Sequence, residues 1–332
     1  MSSLPPPAPF PAPPEALVLR VDARRCEVLL ASGETASAQL RGRLFEERSE
    51  DRVPVAVGDR VRLDLEQDTW AIAEILPRRN LFCRRASGED LDRRQLLAAN
   101  LDQVVVVNSL DAPPFSSIAA DRILAACSFA DLPALLVLNK ADLVKPRKLE
   151  RILATYADAQ IPLLPTSAVD GRGIEELRAA IAGKVSVFYG LSGVGKSTLL
   201  NRLLPELELE TRTASAALSS GRHTTAFSRL YPLPGGGAVI DTPGVRKFRP
   251  YGMPPAELRL HFAELRRVGA GCRFPDCTHR SEPGCAVLAA LQTGAVPEPR
   301  YRSYLELLQE LEQYHGGTGG PPPPGPDHKA RR

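Results

Sequence analysis

Between Leu17 and Leu76 apolar and polar positions alternate in short runs, LVLRV, CEVLL, VRLDL and WAIAEIL, with turn residues between them at Ser32-Gly33 and Gly58-Asp59. A period of two, with Val61, Leu63 and Leu65 on one side, describes half-buried strands and not a helix. Five or so strands in about 60 residues predict a small β-barrel, with an immunoglobulin-like sandwich, normally nearer 100 residues, as the alternative. From Leu101 to Pro243 the pattern changes. Apolar segments at Gln103 to Val107, Ala134 to Leu138, Ile161 to Leu164, Val185 to Tyr189 and Ala238 to Ile240 predict strands. Amphipathic helices are predicted over Ile118 to Phe129, Lys148 to Ala157, Gly173 to Ala182 and Lys196 to Leu204. Continuously apolar strands between such helices make a mostly parallel sheet covered on both faces, with ligands at the carboxyl ends of the strands.

The flanking segments read differently. Pro77 to Arg94 (PRRNLFCRRASGEDLDRR) carries six arginines against Glu89, Asp90 and Asp92 and predicts an exposed basic linker. In it Arg78, Arg79, Arg84 and Arg85 are either phosphate contacts or a solvated charge run. The Pro/Gly-rich ends bury too little apolar surface to offset ordering entropy and are expected to be disordered. The resulting partition is a disordered start at 1–14, a barrel at 15–77, a basic linker at 78–100, an α/β domain at 101–248, a helical domain at 249–315 and a disordered tail at 316–332. A length of 332 residues suits two or three domains. Nothing approaches the roughly 18 apolar residues of a membrane span, and the start lacks a signal-peptide pattern, so a cytoplasmic protein without membrane contact is expected. The net charge of +3 is too small to announce a polyanion partner, so any basic surface must be local.

Gly190-Leu191-Ser192-Gly193-Val194-Gly195-Lys196-Ser197 fits G-x-x-x-x-G-K-[ST] between an apolar strand and a helix start. Glycines let successive N–H groups curl round an anion, Lys196 reaches the β/γ-phosphates, and Ser197 offers its hydroxyl to Mg²⁺. Asn139-Lys140-Ala141-Asp142 follows the strand at Ala134 to Leu138. The Asp142 carboxylate accepts from both N1–H and the 2-amino group of guanine, a donor pair that adenine lacks, while Asn139 braces the loop and contacts N7. Ser167 and Ala168, in Thr166-Ser167-Ala168, would bring a backbone N–H near guanine O6; a plain turn looks the same. In Asp241-Thr242-Pro243-Gly244, Asp241 would hold Mg²⁺ through water and the Gly244 N–H would sense the γ-phosphate. A switch candidate, Gly221-Arg222-His223-Thr224-Thr225, lies between, with Thr224 or Thr225 as a further Mg²⁺ ligand.

These parts occur in the order base, base, phosphate, switch, switch, where the usual GTPase begins with the phosphate loop; a circular permutation explains this. Val245 follows the DTPG motif, and an apolar side chain cannot orient water, so His223 is the candidate catalytic helper, the alternative being an exposed histidine without that role. Cys272, Cys277, His279 and Cys285 supply three thiolates and an imidazole, a donor set for one structural Zn²⁺ with no open position; free thiols are the alternative. Residues 246–280 hold eight Arg and Lys against three acidic residues, a surface suited to RNA phosphates, although Arg outnumbers Lys 35 to 7 throughout. Tyr301, Tyr304, Leu305 and Leu308 at helical spacing predict a packing face.

Taken together, these residues resemble the ribosome small-subunit-dependent GTPases of the RsgA/YjeQ type over about residues 15–315. The permuted order, GRHTT, DTPGVRKF, the Cys/Cys/His/Cys spacing and the Ala98-Ala99-Asn100-Leu101-Asp102-Gln103 entry into the sheet carry the likeness. The resemblance implies an N-terminal OB-fold, a circularly permuted P-loop GTPase domain and a C-terminal zinc-binding domain. It also implies GTP hydrolysis stimulated by the 30S subunit, contact with 16S rRNA and not DNA, a role in late small-subunit maturation and release of assembly factors, and a monomer. Leu191 stands where that family often has Gln, and the Pro-rich ends are unlike its usual termini. An RNA-binding scaffold whose nucleotide site is mainly structural, and an ATP-driven P-loop enzyme, are the competing readings.

Overall fold

Strands with one wet face form where the alternation predicts them. In the computed structural model, which describes residues 14–66, 68–87, 92–205, 228–243 and 247–316, the chain opens with β1 (Glu15–Asp22), β2 (Arg25–Leu30) and β3 (Thr35–Leu40). Helix α1 (Gly42–Glu47), β4 (Arg60–Glu66) and β5 (Thr69–Ile75) follow. They pair in the order β1-β2-β3-β5-β4, and β4 returns to β1, so the sheet closes. A closed five-stranded barrel with its helix between the third and fourth strands is an OB-fold, not a sandwich. Val18, Val28, Val61, Leu63 and Ile72 fill it. Leu65, expected on the same inner face, is 58% exposed instead, because it sits at the tip of the β4–β5 hairpin beyond the packed core.

The Arg-rich stretch is not the solvated run expected of it. β6 (Leu81–Arg85) and β7 (Arg94–Ala99) pair as a two-stranded antiparallel sheet. Arg78 is nearly buried against the fully buried Asp59 at 2.7 Å, and Arg84 is buried outright. Desolvation, reinforced by Arg249 and Arg52, lowers the Arg84 pKa from its ordinary value. The cause is local packing: Phe82 of β6 stacks on Phe248 and meets Tyr189 edge-on, which pulls the flanking arginines inward. Arg79 and Arg93 stay exposed, and Arg79 pairs with Asp102 at 2.8 Å. The Pro/Gly-rich ends lie outside the described residues, apart from Pro14 and Gly316.

The central elements are β8 (Gln103–Ser109), α2 (Ser117–Phe129), β9 (Ala134–Asn139), α3 (Pro146–Thr155), β10 (Leu163–Pro165), α4 (Ile174–Ile181), β11 (Val185–Gly190), α5 (Lys196–Leu203), β12 (Arg229–Pro232) and β13 (Ala238–Asp241). Their order is β10-β9-β8-β11-β13-β12, parallel except for the edge strand β12. Along β8 the pleat sends Val104 and Val106 into a core with Ile123, Leu124 and Tyr156, and Val105 and Val107 into another with Leu177, Leu199 and Leu203. Burial on both faces is why these strands lack alternation. The first strand of the domain, β8, stands in the middle of the sheet between β9 and β11, as a permuted chain requires. At the far edge β12 meets β1 at Arg229 and Arg20, joining the sheet to the barrel.

After the last strand a 3-10 turn at Pro255–His261, α6 (Ala263–Gly269), α7 (Ala286–Gln292) and α8 (Glu298–Gly316) build a helical module around Met253, Phe262, Leu265 and Leu307. Tyr301, Tyr304 and Leu308 are buried in it, and Leu305 packs against it, which is the packing face predicted. The module grips α2 through Arg300. This guanidinium is 2% exposed, bidentate to Glu264 at 2.5 and 3.2 Å and hydrogen-bonded to Asp121, which also accepts from the Tyr156 hydroxyl at 2.8 Å. Despite burial, Asp121 and Glu264 hold Arg300 above its ordinary pKa. Truncation to Ala leaves two buried carboxylates without their cation, so Arg300→Ala is expected to lose about 3–5 kcal/mol in denaturant unfolding. Lysine there recovers only part, since an ammonium cannot reproduce the fork.

Candidate functional site

Four loops leave the carboxyl ends of β8, β9, β10 and β11 on one side of the sheet, and hydrogen bonds tie them together. β11 ends at Gly190, where a Cβ would come within 2.4 Å of the Val107 carbonyl oxygen, so glycine alone permits the close pairing with β8. The loop then turns through Leu191, Ser192, Gly193 and Val194 to Gly195, at φ +85°, and α5 begins at Lys196. Ser192, Gly193 and Thr198 are exposed, Ser197 is half-buried and Val194 is buried. This is the strand–loop–helix context that gives the phosphate motif its meaning.

The base motif is wired directly to that loop. Asn139, buried at the end of β9, donates from Nδ2 to the Val194 carbonyl at 2.9 Å and accepts from Thr166 Oγ1 at 3.2 Å. Lys140, in the left-handed region at φ 63°, donates from Nζ to the Gly193 carbonyl at 2.8 Å and to that of Ala112. Asp142 follows, itself exposed, in a 3-10 turn at Ala141–Leu143. Two residues of chain reach at most about 7 Å, so its carboxylate stands beside a loop already anchored to the phosphate site. Thr166 pairs its backbone with Leu138 and Ala141, and the Ser167 N–H is taken by the Arg172 carbonyl. The Ser167 hydroxyl accepts from Val169 and Asp170, while the Ala168 N–H between them makes no hydrogen bond among the described residues. The bracing by Thr166 was missed at the level of sequence; its place two residues past a short apolar strand was the available signal.

Lys196, 7% exposed, forms an ion pair with Asp241 at the end of β13. Thr242 next to it donates to the Phe188 carbonyl at 2.6 Å, which ties the start of DTPG to the strand leading into the phosphate loop. The structure therefore brings together Asn139, Lys140, Gly193, Val194, Lys196 and Asp241. His223, Thr224, Thr225, Gly244 and Val245 lie outside the described residues.

Gly195 makes the wiring testable. A Cβ there would sit 2.6 Å from Asn139 Nδ2, at a φ that L-residues rarely adopt. Gly195→Ala is expected to displace Asn139 and weaken binding of a fluorescent GDP by roughly 10- to 100-fold, about 1.4–2.7 kcal/mol, with the melting transition still cooperative.

A second constellation lies about the α6–α7 connection. The donor atoms of Cys272, Cys277, His279 and Cys285 all lie within 4.8 Å of one another. His279 Nδ1 is 3.6 Å from Cys272 Sγ and 3.5 Å from Cys285 Sγ, and the two sulfurs are 3.9 Å apart. A tetrahedron with bonds of about 2.3 Å to sulfur and 2.0 Å to nitrogen has edges of roughly 3.5–3.8 Å, so the donors fit one four-coordinate ion. His279 has φ 60°, an uncommon conformation for a non-glycine residue, and the Tyr301 hydroxyl holds it by donating to its carbonyl at 2.7 Å. Tyr304 does the same for Thr278 at 2.8 Å, so α8 clasps the ligand loop.

Comparison with known proteins agrees with this geometry. A family model described as RsgA GTPase matches residues 75–250. The chain is 42% identical over 267 residues to a Chlorobaculum parvum protein named small ribosomal subunit biogenesis GTPase RsgA, covering 78% of this chain and 86% of that one. It is 37% identical over 301 residues to the Bacteroides fragilis protein of that name, covering 90% and 97%. Among solved structures, YjeQ from Thermotoga maritima superposes with a TM-score of 0.68 at 32% identity, over 90% of this chain and 98% of that one. YloQ, described as a circularly permuted GTPase, gives 0.63 at 25% identity, over 91% and 96%. With its phosphate loop embedded in the middle of a permuted sheet, between an OB-fold and a helical Cys/His module, this chain belongs to the RsgA GTPase family and is a GTP-hydrolysing enzyme.

Proposed function

We propose that this GTPase acts in biogenesis of the small ribosomal subunit, binding the 30S particle and 16S rRNA, hydrolysing GTP faster when bound, and acting in the release of assembly factors late in maturation. The observation that carries the nucleotide part is the pair of contacts from Asn139 and Lys140 to the carbonyls of Val194 and Gly193, which couples base and phosphate recognition in one rigid unit. In this reading Asp142 accepts from guanine N1–H and its 2-amino group, Asn139 and Lys140 brace the ring, and the N–H of Ala168, beside Ser167, meets O6. Gly190 to Thr198 cradle the phosphates and Lys196 faces the β/γ-phosphates. The hydroxyl and carboxylate oxygens of Ser197 and Asp241 (through water), with Thr224 or Thr225, are the hard donors that Mg²⁺ prefers. That ion, when bound, neutralises charge on the β- and γ-phosphates. Gly244 senses the γ-phosphate and His223 positions the attacking water. The Cys272, Cys277, His279 and Cys285 set holds one structural Zn²⁺.

The proposed partition places the OB-fold at 15–77, the permuted GTPase domain at 101–248 and the zinc-binding domain at 249–315, in a cytoplasmic monomer. No described helix is long and apolar enough to cross a membrane. Support for the ribosomal partner comes from the names of the relatives together with the cationic surface of the helical module. Residues after Gly244 continue straight from the second switch into that module, so nucleotide state acts mechanically on its position. The expected outcome is that wild-type protein co-sediments with purified 30S subunits in a non-hydrolysable GTP analogue and dissociates in GDP. Equal retention with both nucleotides would instead favour a scaffold. His223→Ala is expected to cut subunit-stimulated turnover by about 100-fold while GTP affinity holds; unchanged turnover removes that assignment.

A further inference from the structure

Beside the Cys/His cluster lies a groove of about 460 Å³, lined by Arg259, Leu260, Arg266, Arg273, Phe274 and His279, among others. Its size falls within the roughly 300–1,000 Å³ of small-ligand clefts. Three features meet in it. First, Arg259, Arg266 and Arg273 have no carboxylate within ion-pair distance among the described residues, and their few hydrogen bonds are long ones to carbonyl oxygens, such as Arg266 to Gln160 at 3.4 Å. Neighbouring arginines outside the groove are satisfied: Arg267 pairs with Asp158 at 2.6 Å and Arg280 with Glu312 at 2.7 Å. Second, Leu260 and Phe274 are two of the five large apolar side chains that stay exposed among the described residues, and both open into this one groove. The guanidinium of Arg273 lies over the Phe274 ring at 5.5 Å, so an aromatic face and a cation are presented together. Third, His279 turns Nδ1 toward the cysteine sulfurs, and its Nε2, which carries the proton once Nδ1 is a ligand, makes no hydrogen bond among the described residues while the ring lines the groove. Metal-bound imidazoles normally donate that N–H to an acceptor.

We propose that this groove binds one unstacked nucleotide of single-stranded RNA, its base against Phe274 and Leu260, its phosphates among Arg259, Arg266 and Arg273, and an acceptor oxygen on His279 Nε2–H. Unpaired cations beside an exposed ring match a ligand that is anionic and aromatic at once, and every base offers a π-face. A helical duplex keeps its bases stacked and cannot deliver one, so the groove discriminates by strandedness. The inference rests on the ribosomal reading above and adds where, and to what form of RNA, the helical module attaches.

The test uses full-length, zinc-loaded protein and a short fluorescein-labelled single-stranded RNA of mixed sequence. Phe274→Ala is expected to weaken binding about tenfold or more, Phe274→Trp to retain it, and Arg267→Ala to leave it unchanged. Arg259→Ala or Arg273→Ala should each lower the salt-dependence slope by roughly 0.7. An unlabelled RNA duplex of equal length should compete poorly. Absence of binding by wild type, wild-type affinity in Phe274→Ala, or displacement by a poly-glutamate peptide as effective as that by single-stranded RNA each overturns the proposal. If wild type still sediments with 30S subunits in those cases, only the groove is lost; failure to sediment at all rejects the ribosomal reading itself.

Discussion

Asp142→Asn is expected to lower affinity for GTP by about 100-fold or more and to admit xanthosine triphosphate in its place. In the proposed reading guanine presents two donors to the Asp142 carboxylate. An amide keeps one acceptor and turns the other position into a donor facing the 2-amino group, which loses a charge-assisted bond and opposes two N–H groups, about 2.7 kcal/mol together. Xanthine carries a carbonyl where guanine has that amine, so the amide becomes complementary again. The surrounding loop should not move, because Asn139, Lys140 and Thr166 hold it independently of Asp142. Displacement of fluorescent GDP by each nucleotide reads the change. A variant that keeps its guanine preference would remove Asp142 from base recognition and leave the ATP-driven reading open.

The second large effect concerns metal. Cys277→Ser, or chelation of the wild-type protein, is expected to unfold the helical module as a unit. Structural zinc contributes an apparent ~10–16 kcal/mol in small modules, comparable with the ~5–15 kcal/mol stability of an entire domain. The apolar core of this module includes the ligands Cys277 and Cys285 themselves, and two of its buried tyrosines spend their hydroxyls on the carbonyls of Thr278 and His279 in the ligand loop. Losing the loop therefore loosens α8, and with it the Arg300 contact to Asp121 and the Arg122 bond to Glu310 at 2.6 Å. Hydrogen exchange should show α6, α7 and α8 unprotected, with metal analysis giving one zinc per native chain. Retained protection in metal-free protein would show that the cluster is not structural.

Much of the candidate site's framework was legible because its motifs are local in sequence. Several apolar strands of the sheet stop at a loop that carries a motif, so Ala134 to Leu138 announces the Asn139 to Asp142 turn and Val185 to Tyr189 announces the glycine-rich loop. The four Cys/His donors also lie close in sequence. What the chain hid depends on distant partners. Six arginines in 18 residues look solvated until Asp59, folded into the barrel, and Phe248, buried in the α/β core, draw Arg78 and Arg84 inward. Arg300 meets Asp121 across 179 residues of chain, and no spacing rule reports such a pair. Strand β12 was unreadable for another reason: four residues ending in Pro232 carry neither alternation nor an apolar run. Wiring between loops, such as Asn139 to Val194, emerges only when strands separated in sequence stand side by side.

Steady-state GTP hydrolysis, measured with purified small subunits, with large subunits and with neither, tests the account most directly. Turnover should be slow alone, remain slow with large subunits, and rise by orders of magnitude with small subunits, because the proposed function has that particle complete the hydrolytic site. Identical rates in all three conditions would contradict it.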